Sequence, residues 1–224
     1  IPTYYVPLRN RWGIIGPIHP DQFKKSSITK AIAANPLVRA GIDTTPVYSV
    51  VTNSTYDGLC YNAVAVEKLL DGTVDRVHWD EAWYAYARFN PIYRNRFGMR
   101  GDPKDHTGPT VFTTHSTHKL LAALSQASYL HIRDGRNPIE HTRFNESFMM
   151  HSSTSPLYTI IASNDITSAM MDGRGGLTLT NESIEEAVAF RQAMGRIHAL
   201  YAKKKDWFFN TWNADTVKEG KGGK

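Results

Sequence analysis

Four short β-rich runs constrain this chain more than anything else in it: Val47-Tyr48-Ser49-Val50-Val51-Thr52, Arg76-Val77-His78-Trp79, Thr110-Val111-Phe112-Thr113-Thr114 and Tyr129-Leu130-His131-Ile132. Branched and aromatic residues suit an extended, pleated backbone. The stretches between the runs are long enough to hold helices, and strands joined by helix-sized connections pair mainly in parallel through right-handed crossovers. The expected fold class is therefore α/β, a mainly parallel sheet with helices on both faces. In such a sheet, ligand chemistry gathers at the C-terminal ends of the strands.

The helical signals agree with this layout. Residues Asn62 to Leu70, Ser155 to Met171 and Glu182 to Tyr201 read as helices, the last with Ile184, Ala187, Val188, Arg191, Met194, Ile197 and Tyr201 on one stripe. Thr180 or Asn181 can cap its start, and Glu182, Glu185 and Glu186 suit the positive end of the helix dipole. Asp172-Gly173-Arg174-Gly175-Gly176 lacks the phosphate-loop spacing and reads as a turn.

With 224 residues, 41% hydrophobic and 21% charged, the chain has the makings of one large globular unit. No apolar run approaches the roughly 20 residues of a membrane helix, and Ile1-Pro2-Thr3-Tyr4-Tyr5 has no signal-peptide layout. A single cysteine, Cys60, fits a reducing compartment, so a soluble, cytoplasmic protein with no membrane partner is expected. The net charge of +5 is scattered, densest in Lys203-Lys204-Lys205 and in a glycine- and lysine-rich tail over residues 214–224. A solvated tail is the plainer reading than a nucleic-acid contact. The first residue is Ile rather than Met, and a segment of a longer chain is expected.

Two constellations carry chemistry. In Thr113-Thr114-His115-Ser116-Thr117-His118-Lys119, a strand end crowded with hydroxyls and imidazoles runs into a lysine. Such groups hold an anion such as phosphate, and a lysine withdrawn from solvent becomes a nucleophile. In His78-Trp79-Asp80-Glu81-Ala82-Trp83, a second strand ends in two carboxylates. An amine and an acid in one crevice are what pyridoxal phosphate requires: the amine to bind its aldehyde carbon, the acid to keep its ring nitrogen protonated. His115 and His118 could instead be metal ligands, but no cluster completes such a site, and no metal is assigned. A Gly-x-Ser-x-Gly elbow around Ser116 is missing as well. From the residues alone, Asp80 could equally be a helix cap and Lys119 a surface amine.

Residues Val77 to Tyr84, Thr114 to Leu121, Leu124 to Ser128 and Phe148 to Pro156 resemble, in order, four motifs of the major domain of bacterial ornithine/lysine/arginine decarboxylases. The resemblance runs over nearly the whole chain. The segments Arg9 to Ile18 and Arg88 to Tyr93 are most similar to the acid-inducible, biodegradative arginine decarboxylases.

The resemblance implies the aspartate-aminotransferase fold (fold type I) of pyridoxal 5'-phosphate enzymes, with residues 1–213 a central and C-terminal part of the cofactor domain. It implies Lys119 as the cofactor lysine, Asp80 at the pyridine nitrogen, Ala82 against the ring and Trp83 near its phenolic oxygen. Ser116 and His118 would lie at the phosphate and imine side, and His118 would act in catalysis with Lys119. Ser153 would reach the phosphate of a neighbouring subunit; relatives often have Thr there. The implied activity is decarboxylation of a basic amino acid, L-arginine to agmatine and CO₂ in acid resistance, ahead of lysine or ornithine. The implied assembly is a homodimer with a shared site, or a higher oligomer. The family's wing domain, the first part of its cofactor domain and its C-terminal domain have no counterpart in these residues, so the segment alone is expected to be inactive. The alternative is a non-catalytic remnant or regulator of the same fold.

Overall fold

The computed structural model describes residues 18–39, 41, 43–205 and 209–211. Most of the Arg9 to Ile18 segment and all of the tail at 214–224 lie outside them. The β-rich runs form one four-stranded sheet in the order β1 (Tyr48–Thr52), β2 (Arg76–Asp80), β3 (Thr110–His115), β4 (Tyr129–Arg133). β1, β2 and β3 pair in parallel, as expected, whereas β4 runs antiparallel to β3. The reason lies in the connection: β3 and β4 are joined through a single helical turn, α3 (Thr117–Leu120), with no long helix to carry the chain back along the sheet.

The first crossover is made by α2 (Ala63–Leu70). Asn62 caps it, its side chain accepting from the N–H of Ala65 at 3.2 Å. Ala63, Val66 and Leu70 then meet Val51, Val77, Trp79 and Val111 on one face of the sheet, forming the main core with Phe23 and Tyr61. Each large aliphatic side chain buried there is worth about 1.5–3 kcal/mol. Side chains alternate between faces along a strand, so Tyr48, Val50, His78, Asp80, Phe112, Thr114 and Leu130 share the other face. That face is half open among the described residues: Tyr48 is 46% exposed, Val50 58% and Leu130 42%. Among the described residues, α2 packs on the core face.

A buried ionic knot secures the core side. Glu67 of α2 accepts from the Trp79 indole N–H at 2.9 Å and from Arg100 at 2.8 and 2.7 Å. Arg133 of β4 reaches the same carboxylate at 3.2 Å and the Arg100 carbonyl at 2.6 Å. Burial pulls the Arg133 guanidinium below its ordinary value, which the Glu67 charge opposes. Residues 81–109, between β2 and β3, contain no long helix but three short 3-10 turns, Ala85–Phe89, Pro91–Tyr93 and Pro103–Asp105.

The remaining helices are α1 (Lys25–Ala33), α4 (His141–His151), α5 (Tyr158–Met171) and α6 (Arg174–Tyr201). The glycine stretch after Asp172 is not an extended turn. α6 starts at Arg174, eight residues before the expected start at Glu182. Gly175 and Gly176 are needed because a Cβ at either would collide with a carbonyl oxygen at the end of α5, that of Met170 or Met171. Thr180 and Asn181 therefore lie inside the helix and cap nothing; both accept instead from the Asn90 amide, at 3.0 and 2.8 Å. Of the expected apolar stripe on α6, Met194 is buried, while Val188 is 48% and Tyr201 44% exposed.

Candidate active site

The ends of β1, β2 and β3 are held together beyond the regular ladder. Asn53 N–H donates to the Asp80 carbonyl at 2.8 Å, Glu81 N–H to Thr114 at 3.1 Å, and Ser116 N–H to Ala82 at 2.9 Å. This brings Asp80, Ala82 and Ser116 to one edge of the sheet, at the C-terminal ends of neighbouring parallel strands, where the topology places ligands.

Asp80 stands opposite Thr114 on the open face. One of its carboxylate oxygens accepts from the Ala82 N–H at 3.2 Å, and among the described residues no ion pair engages it. Beside it on the same face, His78 Nδ1 bonds to the Tyr48 hydroxyl and His78 Nε2 to the Thr114 hydroxyl at 2.6 Å. Tyr48, His78 and Phe112 meet ring to ring at 5.9–6.3 Å. Burial holds the His78 imidazole below its ordinary value. A carboxylate at the margin of a half-open aromatic surface suits a flat ring carrying positive charge on a nitrogen.

Ser116 precedes α3, and Lys119 lies in that single turn, its N–H donating to the Ser116 carbonyl at 3.0 Å. The Lys119 side chain is exposed, and no ion pair joins it to Asp80. A cavity of about 690 Å³ opens beside it, lined by Tyr86, Tyr93, Leu120, Met170, Met171 and Ile184 among others. His118 donates Nδ1–H to the Ala127 carbonyl at 2.8 Å, which leaves Nε2 outside that bond. An exposed amine, a carboxylate without an ionic partner, a hydroxyl and an imidazole with one nitrogen committed are a donor set that fits pyridoxal phosphate.

Two residues stand apart from this group. Trp83 donates its indole N–H to the Ser54 carbonyl at 3.3 Å and packs on Tyr56, so the expected bond from the indole to the phenolic oxygen requires that contact to open. Ser153 follows α4; its hydroxyl accepts from Ser155 N–H at 3.1 Å, and among the described residues nothing brings it to Asp80 or Lys119.

Glu81, adjacent to Asp80, points to the opposite face and is fully buried. Its Oε1 accepts from Asn53 Nδ2 and Gly98 N–H, both at 2.9 Å, and Oε2 meets His115 Nε2 at 3.2 Å. Desolvation raises its pKa, against the pull of these donors. The sequence singled out neither Asn53 nor Gly98, although strict alternation after Asp80 already sends Glu81 to the core side. His115 and His118 point to different partners, and among the described residues no group of three or more His, Cys, Asp or Glu can hold a metal ion.

Comparison with known proteins gives the family. Residues 1–222 match the family described as Orn/Lys/Arg decarboxylase, major domain. The chain belongs to that family. Over 223 residues it is 56% identical to the biodegradative arginine decarboxylase of Escherichia coli (strain K12), covering 100% of this chain and 30% of that protein. It is 50% identical over 218 residues to the lysine decarboxylase LdcA of Pseudomonas aeruginosa, covering 97% of this chain and 29% of that one. The solved structure of lysine decarboxylase A from Pseudomonas aeruginosa superposes with a TM-score of 0.80 at 49% identity, over 92% of this chain and 27% of that one. That of the Francisella novicida lysine decarboxylase LdcF gives 0.81 at 39% identity, over 97% and 28%. These matches give the same α/β fold. The chain thus spans about 30% of the length of the curated relatives it matches. No described helix is long and apolar enough to cross a membrane.

Proposed function

We propose that the full-length protein decarboxylates a basic amino acid, L-arginine first, with pyridoxal 5'-phosphate held by Lys119. The observation that carries this reading is the junction of Asp80, Ala82 and Ser116 at neighbouring strand ends, one turn from Lys119. The preference for arginine rests on identity: 56% to an arginine decarboxylase against 50% and 44% to lysine decarboxylases.

When bound, pyridoxal phosphate accepts the electron pair left on Cα as the α-carboxylate departs as CO₂. The Asp80 carboxylate, on the open face opposite Thr114, would keep the ring nitrogen protonated. Ala82 offers a small side chain to a ring face, and Ser116 a hydroxyl to the phosphate. Lys119 would hold the cofactor through its amine and would be placed to carry a proton at the reacting carbon. His118, steadied through Nδ1, presents Nε2 toward the same proton transfer. One proton is taken up at Cα as one CO₂ leaves, giving agmatine from arginine. That proton uptake accords with a cytoplasmic role in acid resistance.

Ser153 is exposed, its hydroxyl accepting from the N–H of Ser155, which suits a hydroxyl offered to the site of a second copy in a homodimer or larger assembly. The deciding experiment presents arginine, lysine and ornithine side by side to the full-length protein and measures amine release. Equal or higher kcat/KM on lysine would remove the arginine assignment, and no release from any of the three would remove the decarboxylase reading.

A further inference from the structure

We propose that Glu81 and His115 are a proton-sharing positioning pair that holds in register the two strand ends carrying Asp80 and Lys119. The inference rests on the reading of Lys119 and Asp80 given above and adds to it two residues that touch neither cofactor nor substrate.

The geometry is that of a cross-brace under the site. Asp80 and Glu81 are consecutive, and extended backbone sends them to opposite faces, Asp80 to the open face and Glu81 to the core. His115 and Ser116 are likewise consecutive, at the end of the next strand. The core-side members of the two pairs bond to each other, Glu81 Oε2 to His115 Nε2 at 3.2 Å. Backbone bonds Glu81 N–H to Thr114 and Ser116 N–H to Ala82 bracket that contact at 3.1 and 2.9 Å. A shift of either strand end along its axis therefore breaks the side-chain bond and moves Asp80 relative to the turn that holds Lys119.

The brace is charged and dry. Glu81 is fully buried, and Asn53 Nδ2 and Gly98 N–H occupy its other oxygen. Those two donors are neutral, so His115 is the one group bonded to the carboxylate that can bring a compensating charge. The other titratable groups near Glu81 are the Cys60 thiol and the Tyr84 phenol; Arg96 lends its carbonyl to Asn53 and its guanidinium to the Cys60 carbonyl. On its far side His115 meets the His131 ring edge-on at 4.9 Å, and Tyr129 lies beyond His131 at 5.5 Å. Burial and His115 together pull His131 down to about 4, so His131 is neutral near pH 7. With one proton shared between them the pair is neutral overall. Losing that proton leaves a buried anion, and gaining a second removes the attraction.

The test uses the full-length protein and the variants Glu81→Gln, His115→Gln and the double variant. Pyridoxal phosphate affinity and kcat/KM are measured across the acid-to-neutral range. Each single variant is expected to weaken cofactor binding about tenfold and to flatten the pH dependence of binding, and the double variant to lose no more than the worse single one. Losses that add in the double variant, or an unchanged pH profile in both singles, overturn the inference. Thermal melting of the cofactor-free proteins identifies a variant that fails to fold; the pH profile of the other single variant then decides alone. Borohydride reduction of the wild type separates this outcome from failure of the underlying reading: label on Lys119 with additive variants sinks only the brace, whereas label elsewhere sinks the assignment of Lys119 as well.

Discussion

Ser116 donates its backbone N–H to the carbonyl of Ala82 at 2.9 Å, so the chain leaving β3 toward Lys119 is tied to the chain leaving β2 just past Asp80. Two segments remote in sequence thereby share one edge of the sheet. The segment that leads to Lys119 and the segment that follows Asp80 are joined there by a backbone bond that neither side chain makes.

Replacing Lys119 by Ala removes the only primary amine in that turn. In the full-length protein this variant is expected to lose turnover by more than about a hundredfold and to leave no cofactor fixed by borohydride. Peptide mapping of the reduced wild type checks the position directly, and label on any other lysine contradicts it.

Asp80→Asn keeps the shape of the side chain and deletes its charge. Cofactor binding should persist while turnover falls by roughly 10²–10³-fold, the scale of losing one well-aimed electrostatic contact. Glu81 cannot take over, since it points into the core and is held by Asn53, Gly98 and His115. Near-normal turnover of Asp80→Asn would show that the ring nitrogen needs no carboxylate from β2.

Much of this was legible in the sequence. The β-rich runs announced all four strands to within a residue or two at each end, and Asn62 capped α2 as its place before the apolar run suggests. The direction of β4 was not legible, because the alternation of side chains does not say how far a connection travels. The start of α6 was hidden because glycine ordinarily punctuates; here Gly175 and Gly176 are demanded by contact with the end of α5. In the site, Asp80 and Lys119 stood out as chemistry at strand ends. Asn53 and Gly98, which secure Glu81, come from separate loops, and only the folded arrangement joins them.

His131 supplies a pH test. Its pKa falls from 6.5 to about 4 in the folded protein, first through burial and then through His115. Between those values the unfolded chain binds more protons than the folded one, so the stability contribution is complete above 6.5 and is lost as pH falls toward 4. His131→Gln, which does not titrate, should show a shallower loss of stability across that window than the wild type. Urea denaturation of both proteins at the two ends of the window measures the difference, and parallel curves would refute it.

Glu67 offers the sharpest stability prediction, because it is the only carboxylate with ion pairs to two arginines among the described residues, one of them, Arg133, buried. Arg100 and Arg133 come from the 81–109 connection and from β4, and Trp79 comes from β2, so a single side chain of α2 ties four elements together. Glu67→Ala would leave two guanidinium charges facing each other in the core and strand the Trp79 indole N–H. Arg133 Nε is already buried without a bonded partner, which leaves little room for the guanidinium to regroup. Removing one partner of a buried ion pair costs about 3–5 kcal/mol, far more than the ~0–1 kcal/mol of an exposed one. Trp79→Phe, which removes only the indole hydrogen bond and a little volume, should cost less. Because the knot is screened from solvent, the penalty of Glu67→Ala should change little with salt, in contrast to that of the more exposed Arg136–Asp71 pair. Denaturant titrations of the full-length variants at low and high salt would read both effects, and a small or strongly salt-dependent loss for Glu67→Ala would mean that the charges are solvated rather than locked in the core.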